Sequence, residues 1–315
     1  MSQTTRSAKA LLSHQERTAK EPRDDGFHTA IVSKILPVND RIKRFQFEIK
    51  DPSGFKFLAG QWLDVFVPNV EKAGGFTITS SPNEALPQSD PEHKPYFELA
   101  IQKSPTNPTA SWLWQPEGEI QGKEITVRVG GSFVWPPRLD VKEIKRVIFV
   151  AGGVGINPVM SMLSYINQEH ADLETRLLYS TKVPSRETNP TEVLFLNDML
   201  ELFRIPRSAS TKDRIELFYT GTWDGSDMGT RSDALIHPLM SLTLPQMCSD
   251  SEVPVTAWTH RIDDSALRSA VGSEKAARST VFYVCGPPDM SDSIVKFITE
   301  QPAVVEEHVL CEKWW

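Results

Sequence analysis

The chain has 315 residues, enough for two domains at roughly 150 residues each. It carries 34 Lys and Arg against 41 Asp and Glu, a formal charge of −7 with no long basic run, which argues against nucleic acid or an anionic membrane as the main partner. Three cysteines (Cys248, Cys285, Cys311) exclude a disulfide framework and a four-cysteine zinc or iron–sulfur site. No apolar run approaches the ~20 residues of a membrane-spanning helix. The expectation is an intracellular, monomeric protein with no transmembrane segment and no metal site.

Residues 1–26 read as a mobile arm. Arg6, Lys9, Arg17, Lys20 and Arg23 outnumber Glu16 and Glu21, and Ala10-Leu11-Leu12 is too short for the hydrophobic stretch of a secretory signal. A solvated tail and a short mitochondrial presequence both fit this composition, so the compartment stays open between mitochondrion and cytoplasm.

Residues 27–138 form the first predicted domain. Period-2 segments recur at Ile31-Val32, Arg44–Ile49, Trp62–Val67, Tyr96–Ile101 and Glu124–Val129, separated by turn residues such as Asp51-Pro52-Ser53-Gly54 and Gly74-Gly75. About six short strands at this spacing predict an antiparallel barrel or sandwich. One helical turn is expected at Thr109–Trp114.

The rhythm changes after Pro136-Pro137, and residues 145–315 form the second predicted domain. Arg146–Ala151 is a nearly continuous apolar run, as in a strand covered on both faces. Strands at Arg176–Ser180, Ile215–Thr220 and Thr280–Cys285 alternate with helices near Pro158–Glu169, Glu192–Phe203, Asp263–Val271 and Pro287–Glu300. That alternation predicts a doubly wound parallel sheet. Residues 222–258, broken by glycines and prolines, read as an insertion.

Three constellations carry chemistry. Gly152-Gly153-Val154-Gly155-Ile156-Asn157-Pro158 lies between an apolar strand and a helix, where glycines let the backbone approach a ligand and free helix-start N–H groups favour phosphate. Cys285-Gly286-Pro287-Pro288-Asp289-Met290 ends the fourth predicted parallel strand, and ligands bind outside the carboxyl ends of such strands. A small buried cysteine is the plainer reading there. The third is the ending Cys311-Glu312-Lys313-Trp314-Trp315, whose tryptophans either stack on a planar ring or seal an interface.

Taken in order, these segments resemble the ferredoxin–NADP reductase superfamily, and within it the oxidoreductase NAD-binding domain-containing proteins. Phe57-Leu58-Ala59-Gly60-Gln61-Trp62 is similar to the family's F-x-A-G-Q-Y/W motif. Gly74–Pro82 is similar to its flavin motif R-x-Y-S/T followed by S-S-P, and Gly122–Phe133 to its glycine-rich strand segment. The resemblance implies an FAD-binding barrel followed by an NAD(P)-binding domain. Phe76 would lie along one flavin face, Thr77 near flavin N5, and Trp314 over the other face. Cys285 and Glu312 would frame hydride transfer, with Thr77 as the third catalytic candidate. Gly152, Gly153, Gly155, Asn157 and Pro158 would hold the dinucleotide, together with Gly286, Pro287 and Met290. The implied activity is transfer of hydride from NADH or NADPH to flavin and onward transfer of electrons to an unidentified acceptor.

The sequence departs from the motif at one place. The family's flavin-motif Arg is Gly74, and the Ser of its phosphate loop falls on Ala110, with Ser111 one residue away. Each lost hydrogen bond to a charged group removes about one to two decades of affinity. Backbone N–H groups near Thr109 are candidates to compensate, and Gly74→Arg is expected to restore binding where the side chain finds room. FAD is the expected cofactor, with FMN as the alternative. Lys182 and Arg186 either meet a 2′-phosphate, selecting NADPH, or are solvated loop cations. An NAD(P)H-responsive binding protein with weakened flavin binding and little turnover is the rival reading. A plain dinucleotide-binding dehydrogenase leaves the barrel unexplained.

Overall fold

The computed structural model describes residues 12–90, 92–139, 143–183, 192–204, 212–221 and 255–313. These fall into two compact units. One holds the described residues up to Pro137 together with Met160–Tyr165, and the other begins at Arg138 and holds the rest.

The first unit is an antiparallel sheet of six strands: β1 (His28–Pro37), β2 (Ile42–Ile49), β3 (Trp62–Phe66), β4 (Gly74–Thr77), β5 (Tyr96–Gln102) and β6 (Glu124–Gly130), ordered β4-β3-β6-β1-β2-β5. Strand alternation sorts the side chains. On β2, Phe45, Phe47 and Ile49 are buried while Arg44, Gln46 and Glu48 lie between them, half-buried. Phe47 and Phe97 stack with centroids 5.0 Å apart in the centre of the core. Burying each such ring stabilises the fold by about 1.5–3 kcal/mol. The end strands then meet. Ile78, just past β4, bridges to Leu99 on β5, and the Thr79 N–H donates to the Glu98 carbonyl at 2.9 Å. The sheet thereby closes into a barrel.

The second unit is a fully parallel sheet: β7 (Arg146–Gly152), β8 (Glu174–Val183), β9 (Arg214–Gly221), β10 (Val255–Trp258), β11 (Thr280–Gly286) and β12 (Val309–Lys313), ordered β10-β9-β8-β7-β11-β12. Every residue of β11 is buried, and β7 is buried from Val147 onward, as strands covered on both faces must be. The chain runs outward from β7 to β10 and then returns to β11 on the other side of β7. The topological switch point is therefore between β7 and β11, at the carboxyl end where the glycine loop follows β7.

The helices are α1 (His14–Arg17), α2 (Pro108–Leu113), α3 (Glu117–Ile120), α4 (Ile156–Glu169), α5 (Leu196–Arg204), α6 (Asp264–Val271), α7 (Glu274–Arg278) and α8 (Pro288–Thr299). No helix among the described residues is long and apolar enough to cross a membrane.

Two expectations need correction. Residues 12–26 are not a solvated arm. Ser13 and Glu16 form a reciprocal capping box on α1, Arg23 bridges to Gly130, and its Nε donates to the buried Asp64 carboxylate at 2.9 Å. Charge pairing holds this segment, where its sparse apolar content could not. The insertion at 222–258 is also narrower than expected: Val255–Trp258 is strand β10 at the sheet edge, and residues 222–254 lie outside the described residues.

Candidate functional site

The barrel carries the first group of candidate residues on β4. Phe76 is half-buried and packs on the barrel core, and Thr77 is 1% exposed. The Thr77 hydroxyl makes no hydrogen bond, although an unbonded buried hydroxyl costs about 1–3 kcal/mol. The protein's own groups thus leave this buried hydroxyl unpartnered. The following Ser80-Ser81-Pro82 is consumed locally. Ser80 Oγ accepts from Glu98 N–H at 3.1 Å, and Ser81 caps the single helical turn Pro82–Ala85.

The segment that would meet phosphates is occupied by the protein itself. A β-carbon at position 74 would lie 2.6 Å from Phe76 Cε2 and 2.7 Å from Thr109 Cβ, so Gly74→Arg has no room unless both Phe76 and Thr109 move. Thr109 is fully buried, and its hydroxyl donates to the Lys72 carbonyl at 3.2 Å. Asn107 caps α2 by accepting from Ala110 N–H at 3.1 Å, and Pro108 contributes no N–H. The Ser111 hydroxyl donates to the Ser104 carbonyl at 3.2 Å. A one-residue shift in register therefore does not supply the missing donor.

On the neighbouring position of β4, the His14 ring sits directly over Gly75, where a β-carbon would fall 2.0 Å from its Nδ1. His14 meets Trp62 edge-on at 4.5 Å, and its Nε2 lies 3.3 Å from Asp64 Oδ1. Asp64 Oδ2 accepts from Arg23 Nε at 2.9 Å and from Arg128 Nη2 at 2.7 Å. Burial pushes this carboxyl up, but the adjacent His14 ring and donation from Arg23 and Arg128 outweigh it and hold the group well below the usual carboxylate range.

The second unit carries the other group of candidates around the β7–β11 switch point. Gly153 has φ +55° with open space where a β-carbon would be, so the loop needs its conformation and not its size. Gly155 is the reverse: a β-carbon there would lie 2.3 Å from the Cys285 carbonyl oxygen. Gly155 is also the N-cap of α4, and no side chain caps that helix. The Ile156 N–H turns back to the Gly153 and Val154 carbonyls and Pro158 has no N–H, so this 14-residue helix offers an anion the positive end of its dipole more than its first amides. Asn157 and Pro158 lie buried in its first turn. Met290 packs across Gly152 and Gly286, its sulfur 2.6 Å from where a Gly152 β-carbon would sit, and Pro287 is the N-cap of α8.

Cys285 and Glu312 come together. They are register partners on adjacent strands β11 and β12, with Ala151 opposite Cys285 on the β7 side. Cys285 is fully buried, so its thiol lies level with the glycine loop but not at the surface. Glu312 is half-buried. Trp314 lies outside the described residues, as does Arg186, while Lys182 is exposed near the end of β8. Sequence reasoning missed Tyr219, near the carboxyl end of β9, whose phenol is buried and makes no hydrogen bond. Burial pushes its ionisation up, with Tyr179 adding to the effect. The available signal was an aromatic with a polar tip closing an apolar strand.

Comparison with known proteins places this arrangement. No family model matches the chain. The structure of the Amycolatopsis cytochrome P450 reductase aligns with a TM-score of 0.61 at 17% identity, covering 93% of this chain and 70% of that one. A Neisseria gonorrhoeae ferredoxin NADP+ reductase with bound FAD and NADP aligns with a TM-score of 0.57 at 14% identity, covering 93% and 100%. The closed antiparallel barrel and six-stranded parallel sheet are those of the ferredoxin–NADP reductase-like proteins. In sequence, oxidoreductase NAD-binding domain-containing protein 1 of Danio rerio is 30% identical over 312 residues, 96% of this chain and 97% of the relative. The chain belongs to the oxidoreductase NAD-binding domain-containing protein family.

Proposed function

We propose that the chain is a flavin-dependent NAD(P)H oxidoreductase that passes electrons to a separate acceptor. The observation that carries the reading is the Gly152–Gly155 loop leading into α4, at the switch point and beside the Cys285–Glu312 pair. The Gly152–Gly155 backbone, aided by the positive end of the α4 dipole, binds the dinucleotide pyrophosphate, Gly153 and Gly155 keep the loop free of side chains, and Met290 backs it. Cys285 and Glu312 border the nicotinamide. By the resemblance, Trp314, which lies outside the described residues, would cover the flavin face that the nicotinamide must use.

On the barrel, the unbonded Thr77 hydroxyl fits a flavin ring nitrogen and the half-buried Phe76 supplies a ring face. A flavin held there supplies the hydride acceptor that no side chain of this chain provides. The protein's own work is positioning and exclusion of water. FAD is the expected form, with FMN as the alternative, and Lys182 is available to a 2′-phosphate. The three cysteines form no iron–sulfur pattern in the sequence, so any one-electron centre that takes part lies on another molecule.

A second reading is an NAD(P)H-responsive binding protein with weak flavin binding and little turnover. The donors already spent around Thr109 and Asn107 favour it. The absorbance spectrum of the purified chain, with mass identification of released cofactor and addition of NADH or NADPH, separates the two. Yellow protein that bleaches supports the reductase. Nucleotide binding without any flavin-dependent bleaching, even with flavin added, supports the sensor.

A further inference from the structure

This inference rests on the flavin reading of β4 and concerns the opposite end of the same ligand. The ring end is unsatisfied, because the buried Thr77 hydroxyl has no partner. The phosphate end is the reverse on four separate counts. Phe76 fills the space from which a side chain at Gly74 would start. The Thr109 and Ser111 hydroxyls donate to the Lys72 and Ser104 carbonyls. Helix α2 begins with Pro108 and is closed by the Asn107 cap. The cation next to this strand, Lys72, is exposed. An exposed, screened ammonium holds a phosphate weakly.

We propose that this chain binds flavins by the ring system alone, so that riboflavin, FMN and FAD are near-equivalent ligands and flavin is an exchangeable ligand instead of a resident group. A site built to hold phosphates would separate them. Each charge-assisted hydrogen bond adds about one to two decades of affinity, and a pyrophosphate clamp uses several.

The full-length chain, freed of flavin by dialysis, is titrated in turn with riboflavin, FMN and FAD at 0.15 M salt while flavin fluorescence is followed. The expected result is three dissociation constants within about tenfold of one another. FMN or FAD binding more than about tenfold tighter than riboflavin overturns the proposal, as does FAD that stays bound through gel filtration. Absence of binding by all three overturns the flavin reading of Thr77, and the proposal falls with it, so the two failures are distinguishable. Lys72→Ala is the companion variant. It should change the FAD-to-riboflavin affinity ratio by less than about threefold, and a larger fall would show a phosphate contact that the proposal denies.

Discussion

Replacing Asp64 by Asn tests whether charge pairing holds the N-terminal segment on the barrel. The substitution preserves shape and removes one charge from a fully buried site on β3. It leaves the Arg23 and Arg128 guanidiniums, 14% and 22% exposed, gathered around an uncharged amide. Breaking a buried pair from one side costs about 3–5 kcal/mol, and the partial exposure of both arginines brings this toward about 2–3 kcal/mol. At roughly 2–4 °C per kcal/mol for a chain of this size, Asp64→Asn should lower Tm by about 5–10 °C. Arg23→Gln and the double variant complete a cycle, in which the double variant should lose about 1–2 kcal/mol less than the sum of the singles. The pH dependence has a definite sign. The folded state depresses the Asp64 pKa, so its stabilisation is fully present above the unfolded value near 3.9 and is lost as pH falls below it. The gap between wild type and Asp64→Asn should be flat from about pH 5 to 8 and narrow below about pH 4. A gap under about 2 °C at pH 7, or additive singles, would refute the pairing argument.

Thr77→Val should raise Tm slightly, because it deletes an unbonded buried hydroxyl, while weakening flavin binding by about tenfold; a melt and a flavin titration read the two effects separately. Gly155→Ala should destabilise the chain by about 1–3 kcal/mol, since its methyl meets the Cys285 carbonyl, and should weaken NAD(P)+ binding. Gly153→Ala meets no atom and should cost only the strain of its positive φ, about 1–2 kcal/mol; a larger Tm loss in Gly153→Ala than in Gly155→Ala would contradict the loop geometry. Cys285→Ala should slow flavin reduction by NAD(P)H in stopped-flow bleaching more than it weakens flavin binding, and an unchanged rate would leave Cys285 a core residue. Trp314→Ser should tighten NAD(P)+ binding, whereas unchanged affinity with a lower Tm would make that tryptophan a seal.

The parallel sheet was legible where burial writes a continuous apolar run. Arg146–Ala151 and Thr280–Cys285 are β7 and β11, and the glycine loop follows from the first. The outer strands left no such run. β12 reads Val-Leu-Cys-Glu-Lys, with every residue half-buried or exposed, and β10 has only four residues between Pro254 and the Thr259-His260 bend. The N-terminal segment was illegible for a different reason. Arg23 and Asp64 are 41 residues apart, and nothing local in either stretch announces the pair. The readable hint was Asp64 itself, a carboxylate within Trp62-Leu63-Asp64-Val65-Phe66, because a charge in a buried strand requires partners. The fate of the Thr109 and Ser111 hydroxyls was also hidden. A hydroxyl selects among nearby carbonyls, and only the folded backbone decides which is in reach.

The junction of Ile78 with Leu99 bears on which length changes the barrel tolerates. Beyond β4 the chain is held from two sides, by the Gln61 carbonyl on one and by Leu99 and Glu98 on the other. Its phase is set there and not by the loop that leads into it. Between buried Val67 and Ala73, the exposed turn at Pro68-Asn69 can therefore gain a residue at the modest entropic cost of loop closure. An added residue between Phe76 and Ile78 has no such freedom. It would turn every following side chain to the opposite face, exchanging the buried Thr77 hydroxyl for its neighbour. Length variation is thus permitted before the strand and forbidden within it, so an insertion of one amino acid is harmless at one site and disabling a few positions later.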